Sequence, residues 1–220
     1  MGDRPVIDPS VEDFLLTNPG MGYGPVSRGV QHISGLFRFR ARSSRLSYIE
    51  DEFWLRISLS APLKTALPEV FEEGGRIPRI AANHINPDDS LCLGSPLRQR
   101  LAMCGSTTLQ SFAESCVVPF LYTRVLREQG MHVFPFGELE HGAAGLAEDY
   151  QDIFQLEERA QLEPLLKLLL MDAAAADTKM CPCCGSRPFG SCLTGIKARL
   201  IASDFSQQEL STAYSQLFDE

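Results

Sequence analysis

The sequence predicts an α+β fold, an antiparallel sheet flanked by helices with a small helical C-terminal appendage. Three observations predict it. Gly35–Arg45 and Glu52–Ser60 alternate apolar and polar residues at the period of a half-buried strand. From Thr107 onward apolar residues recur at helical spacing, in runs rich in alanine, leucine and glutamate. Between those helices and the C-terminus, Cys181, Cys183, Cys184 and Cys192 crowd into one short loop.

Taken in order, the chain opens with a Gly-, Pro- and Asn-rich stretch to about Gly35, in which Val11–Leu16 reads as a short amphipathic helix before a loop. In Gly35–Arg45, Phe37, Phe39 and Ala41 lie on one side and Arg38, Arg40 and Arg42 on the other. The arginine side is either a solvated strand face or a surface for an acidic partner. Glu52–Ser60 should pair with this strand, after which Pro62, Pro68 and a Glu-Glu-Gly-Gly run interrupt the sheet and Arg76–Ile80 leads on in extended form. Thr107–Gln129 is helical, with Thr107 as N-cap, and Pro119 demands a kink or two abutting helices. Gly130–Gly145 is a loop, and Leu146–Ala176 is helical, with Pro164 dividing it. Gly195–Ser203 is a short element and Phe205–Phe218 a closing helix. The expected division is 1–160 and 161–220.

A chain of 220 residues, 44 % hydrophobic and 22 % charged, can bury a sizeable core. Its net charge of −8 speaks against nucleic acid as a partner, since that affinity comes from neutralising phosphates. MGDRPVIDPS has no basic segment followed by an apolar run, and Val6 stands where a myristoylation motif needs Ser or Thr. Leu165–Ala176 is too short to span a bilayer and contains Lys167 and Asp172. The expectation is a cytoplasmic protein without membrane contact, whose seven cysteines stay reduced for catalysis or metal binding.

Two clusters could carry chemistry. In Ala81–Pro96, AANHINPDDSLCLGSP, Cys92 follows His84, Asn86, Asp88, Asp89 and Ser90. A thiol in a polar loop with a histidine and an amide close upstream has the parts of a nucleophile and its oxyanion support. The acidic neighbours disfavour a pre-ionised thiolate and suit thioester exchange, where the incoming acyl group is already activated. They would also orient an incoming amine and assist loss of its proton. Cys92 could equally be a small buried hydrophobe between Leu91 and Leu93. Cys104 and Cys116 are the alternative nucleophiles, and His132, Glu138, Glu140 and His141 could bind a metal or lie in a polar loop. No Walker loop, GxGxxG, GxSxG or HExxH pattern is present.

HINPDDSLCL resembles the active-site segment of ubiquitin-conjugating enzymes, above all their prokaryotic branch, roughly His-x-x-Pro-Asp-Gly-Ser-Leu-Cys-Leu. His84, Pro87, Asp88, Ser90, Leu91, Cys92 and Leu93 match, and Asp89 takes the glycine position. The resemblance spans about Gly35 to Phe154 and implies a UBC-like fold in which Cys92 accepts the C-terminal carboxyl group of a modifier. It also implies an activating enzyme, a ubiquitin-like protein or a CD-NTase-like nucleotidyltransferase, and an acceptor protein as partners, in the setting of antiphage (CBASS-like) operons. The family's oxyanion asparagine falls at His84, with Asn86 the nearest amide. A non-catalytic binding module and a cysteine hydrolase that cleaves such conjugates are the other readings.

The second cluster, CPCCGSRPFGSC, has the thiols and turn residues of a small metal loop. It resembles the zinc-binding SEC-C motif at Cys181, Cys183 and Cys192. Leu193 stands at the fourth ligand position, which leaves Cys184 to complete a structural four-cysteine zinc site, or the loop to remain reduced and metal-free.

Overall fold

The computed structural model describes residues 8–43, 48–103, 105–131 and 142–218. The chain is α+β and divides into two compact units, Met1–Leu93 with Ala102–Gly137, and Gly94–Leu101 with Glu138–Glu220.

The first unit is built on a four-stranded antiparallel sheet in sequence order, β1 (Met21–Tyr23), β2 (Gln31–Arg42), β3 (Tyr48–Leu59) and β4 (Glu69–Glu72). β2 and β3 run opposite each other over their whole length, with Phe37 facing Phe53 and Arg38 facing Glu52. Period-two alternation then puts Ile33, Phe37, Phe39, Phe53, Leu55 and Ile57 in the core. The expected arginine face is there and is paired across the strands, Arg38 to Glu52 at 2.8 Å and Arg40 to Glu50 at 2.9 Å. Such exposed pairs are screened by solvent and add little to stability. The Gly-rich stretch expected to be loop also supplies the edge strand β1. Gly35 is why it fits: its φ is +144°, and a Cβ there would collide with the Gly20 carbonyl.

Helix α1 (Ser10–Thr17) covers the sheet with Val11 and Phe14, whose ring stacks on Phe37 at 6.3 Å. The buried Asp8 carboxylate anchors it, accepting from Ser10 N at 2.9 Å and from Leu63 N at 2.7 Å. After α2 (Pro96–Ala102), the expected helix from Thr107 is three pieces: α3 (Leu109–Phe112), a π-turn at Ala113–Val117, and α4 (Val118–Glu128). Thr108, not Thr107, caps it, accepting from Ser111 N. Pro119 has no N–H, so the turn before it widens and Val118 N reaches back to Ala113 O. This helical run buries Leu109, Phe112, Val117, Leu121 and Leu126 in the same core as the sheet.

The second unit is helical: α2, α5 (Gly142–Ile153), α6 (Leu162–Leu170), α7 (Ala173–Asp177), α8 (Leu193–Ala202) and α9 (Gln207–Phe218). Its core joins Leu97 and Tyr150 to Leu165, Phe189 and Leu210. A division at 160/161 therefore does not coincide with the cores, because α5 and most of α2 belong with the later helices. Pro164 lies within the first turn of α6, where its missing N–H costs nothing, and the break before it comes at Gln155, with φ of +54°. Asp149 is buried and binds Arg98 Nε at 2.8 Å and the Ser95 hydroxyl, tying α5 to the start of α2. Among the described residues no helix is long and apolar enough to cross a membrane.

Candidate functional site

The loop leading to Cys92 leaves β4 through the buried Ile77, whose amide donates to Glu72 Oε2 at 3.1 Å. A 3-10 turn at Ala81–Asn83 follows, and His84 then adopts a left-handed conformation with φ of +56°. The chain doubles back: Ile85 pairs with Leu91, and Cys92 N donates to His84 O at 2.8 Å. Leu91 N donates to Val70 O at 2.7 Å, which fixes this small ladder to β4. Cys92 is half-buried, between the buried Leu91 and the half-buried Leu93.

Within the loop the expected polar residues come together, and they bond mainly to one another. Asp88 Oδ1 accepts from Ser90 N at 3.0 Å and from Ser90 Oγ at 2.7 Å, and Asn86 Nδ2 donates to Ser90 Oγ at 2.9 Å. These are the side-chain turns that Asp, Ser and Asn make with their own backbone. The Ser90 hydroxyl, then its amide, hold the Asp88 carboxyl below its ordinary range. Asp89, at φ of +69°, ion-pairs with Arg79 at 2.8 Å. His84 contributes its backbone at both ends, its amide to Ala81 O and its carbonyl to Cys92 N.

Three anchors of this loop have no signal in the sequence. Arg79 meets Asp89, Arg124 Nη1 donates to Asn83 Oδ1 at 2.8 Å, and Arg127 Nη1 donates to Ala82 O at 3.0 Å. The two from α4 are separated from their partners by more than forty positions, so no local pattern could mark them. Cys116 is buried in the core and burial pushes its thiol up to about 12, which leaves it inert as a nucleophile. Cys104, His132, Glu138, Glu140 and His141 lie outside the described residues.

The cysteine loop connects α7 to α8. Cys181 N donates to Arg187 O at 2.8 Å and Gly185 N to Cys181 O at 2.9 Å, closing a tight knuckle in which Gly185 takes a φ of +59°. Cys192 caps α8. The sulfurs of Cys181, Cys183 and Cys192 all lie within 4.8 Å of one another. Cys181 to Cys183 is 3.3 Å, Cys183 to Cys192 is 3.4 Å, and Cys184 to Cys192 is 4.0 Å. Sulfurs on a tetrahedral zinc, with Zn–S of about 2.3 Å, stand about 3.8 Å apart. The loop thus holds three sulfurs ready to share a metal ion, with Cys184 exposed at its margin.

Their environments differ. Burial first, and neighbouring thiols after it, push Cys181 up to about 12. Cys184 falls to about 6 because the Ser186 amide and hydroxyl and the Arg187 amide donate to its sulfur. For Cys192 burial opposes ionisation, but Cys183 and the amides of Thr194 and Gly195 at the start of α8 outweigh it and lower the value. Comparison with protein-family models, curated proteins and solved structures gives no match to this chain.

Proposed function

We propose that the chain is a ubiquitin-conjugating-like acyl carrier, with Cys92 as its thioester-forming residue and a structural zinc ion in the C-terminal knuckle. The carrying observation is the placement of Cys92. It follows a four-stranded antiparallel meander and ends a loop whose backbone is pinned to β4 and to His84. That order is the one implied by the resemblance of HINPDDSLCL to conjugating enzymes.

In the first step the Cys92 thiolate adds to the thioester carbonyl of a charged activating enzyme. The new C–S bond forms at Cys92 as the old one breaks, and the activating enzyme's thiolate leaves and takes a proton from solvent. In the second, a target amine attacks the Cys92 thioester, an amide forms, and Cys92 departs as thiolate while the amine's proton passes to water. His84 or Asn86 stands near the oxyanion. A carboxylate as weakly basic as Asp88 serves to hold the incoming ammonium, which gives one proton to water before the neutral amine attacks. Zinc on Cys181, Cys183, Cys192 and Cys184 would be a closed site, without an open position for chemistry.

One observation favours a non-catalytic binding module instead: Asn86, Asp88 and Ser90 have partners within the loop and Asp89 is paired to Arg79. Incubation with an activating enzyme, ATP and a ubiquitin-like protein or nucleotidyltransferase encoded beside this chain decides between the two. A thiol-reducible adduct that disappears in Cys92→Ala and persists in Cys104→Ala is expected. The absence of any adduct sinks the carrier reading and leaves the binding module. Elemental analysis should find zinc near stoichiometric, and metal-free purified protein would remove the second site.

A further inference from the structure

We propose that the outward face of α8 is a docking surface for an acidic, amphipathic helical segment of another protein. Most helices bury their large apolar residues, whereas α8 packs only Ile201 of its large ones against the core, half-buried. Gly195 and Ala198 are buried and Ala202 half-buried, whereas Leu193 is 65 % exposed, Ile196 51 % and Leu200 72 %. These three stand at i, i+3 and i+7, one continuous stripe along the helix. The inward residues are small because α8 approaches the knuckle closely: a Cβ on Gly195 would collide with the Phe189 carbonyl. The outward ones have no such cause. A leucine–isoleucine–leucine stripe at helical spacing is the pattern by which one helix receives another.

Charge selects the occupant. From Thr178 to Ser203 the chain has Lys179, Arg187, Lys197 and Arg199 and not one Asp or Glu, in a protein of net charge −8. Arg199 is engaged internally, with Asp177 at 2.8 Å and Ala173 O at 2.7 Å. Lys179, Arg187 and Lys197 are exposed and form no ion pair among the described residues, and Lys197 meets only the neutral Gln155 at 3.3 Å. Zinc on four thiolates would add two negative charges and still leave this stretch positive. A second copy of the chain is the poorer occupant. Two α8 helices related by a twofold at Ile196 would set Lys197 against Lys197, a like-charge contact that costs affinity. Glutamates flanking an apolar stripe complement the surface in both respects.

The test uses the full chain and three fluorescein-labelled probes. One is a helical peptide with leucines at i, i+3 and i+7 flanked by glutamates. The second is its lysine-for-glutamate counterpart, and the third a single-stranded oligodeoxynucleotide. The acidic peptide should give saturable anisotropy, weakened by salt, and Ile196→Glu or Leu200→Glu should each weaken it about tenfold or more. Lys197→Glu should shift preference toward the lysine peptide. All three positions are exposed, so circular dichroism and melting of the variants should match the parent. Failure of the acidic peptide to bind overturns the proposal, as does equal binding by Leu200→Glu. Tighter binding of the oligonucleotide, or a concentration-dependent dimer abolished by Leu200→Glu, would assign the face to those occupants and overturn it as well.

Discussion

Ser90 joins the two sides of the turn before Cys92, since its hydroxyl donates to Asp88 and accepts from Asn86. Ser90→Ala removes both bonds at a buried position, and a loss of about 0.5–1.5 kcal/mol is expected in chemical denaturation. Asp88 reports the change directly. Its folded value lies below that of an unfolded aspartate, so its contribution to stability is complete above the ordinary aspartate range and fades as pH falls through the folded value. Without the hydroxyl, the larger cause of that shift, the Asp88 carboxyl should titrate nearer its ordinary value by carbon-detected NMR. An unchanged titration would mean that Ser90 N alone sets it. The grouping of these residues was legible because it is local, all within Asn86–Ser90. Arg124 and Arg127 are not legible, because nothing in a sequence pairs an arginine with a distant carbonyl or amide, and the Arg79–Asp89 pair spans ten positions with no periodic pattern to mark it.

Elements with a strict period were equally open to reading. The Phe37/Arg38 alternation identifies β2 and its buried face, but the strand runs Gln31–Arg42 rather than Gly35–Arg45, whereas α9 and α1 lie within a residue or two of expectation. Prolines were less transparent, since the same residue breaks, kinks or begins a helix according to its position. Pro119 produced a π-turn ahead of α4, whereas Pro164 fell at the start of α6. Glycines inside helices posed the mirror problem. Gly195 in α8 reads as a weak point, yet the helix can rest on the 3-10 turn at Phe189–Ser191 only because that residue lacks a side chain. Gly195→Ala should therefore destabilise the second unit by roughly 1–3 kcal/mol, more than any gain from helix propensity. Gly22→Ala, where an added Cβ meets nothing within 4 Å, is the control and should leave the melting midpoint nearly unchanged. Equal effects of the two would show that the Phe189 contact does not constrain α8.

The chain keeps two separate cores, one under the sheet and one among the later helices, and the knuckle belongs to the second. That membership determines what metal removal should do. A structural zinc ion contributes an apparent binding free energy of about 10–16 kcal/mol, as large as the whole stability of a typical domain, about 5–15 kcal/mol. Cys181 and Cys192 are buried in that core and Cys183 packs against it, so a zinc ion on these thiols would be coupled to the packing of α8. Cys181→Ser, or stripping of the metal under reducing conditions, should therefore erase amide protection from Cys181 through α8 and loosen α7. β2 and β3, whose hydrogen bonds lie wholly within the first unit, should keep theirs. Hydrogen exchange resolved by peptide reads both at once. Cys184→Ser separates the fourth ligand from a bystander: partial loss in the same peptides assigns it to the ion, and full protection with unchanged zinc content removes it from the set. Unaltered exchange throughout the metal-free protein would show that helix packing alone, around Phe189 and Leu165, holds the knuckle in shape.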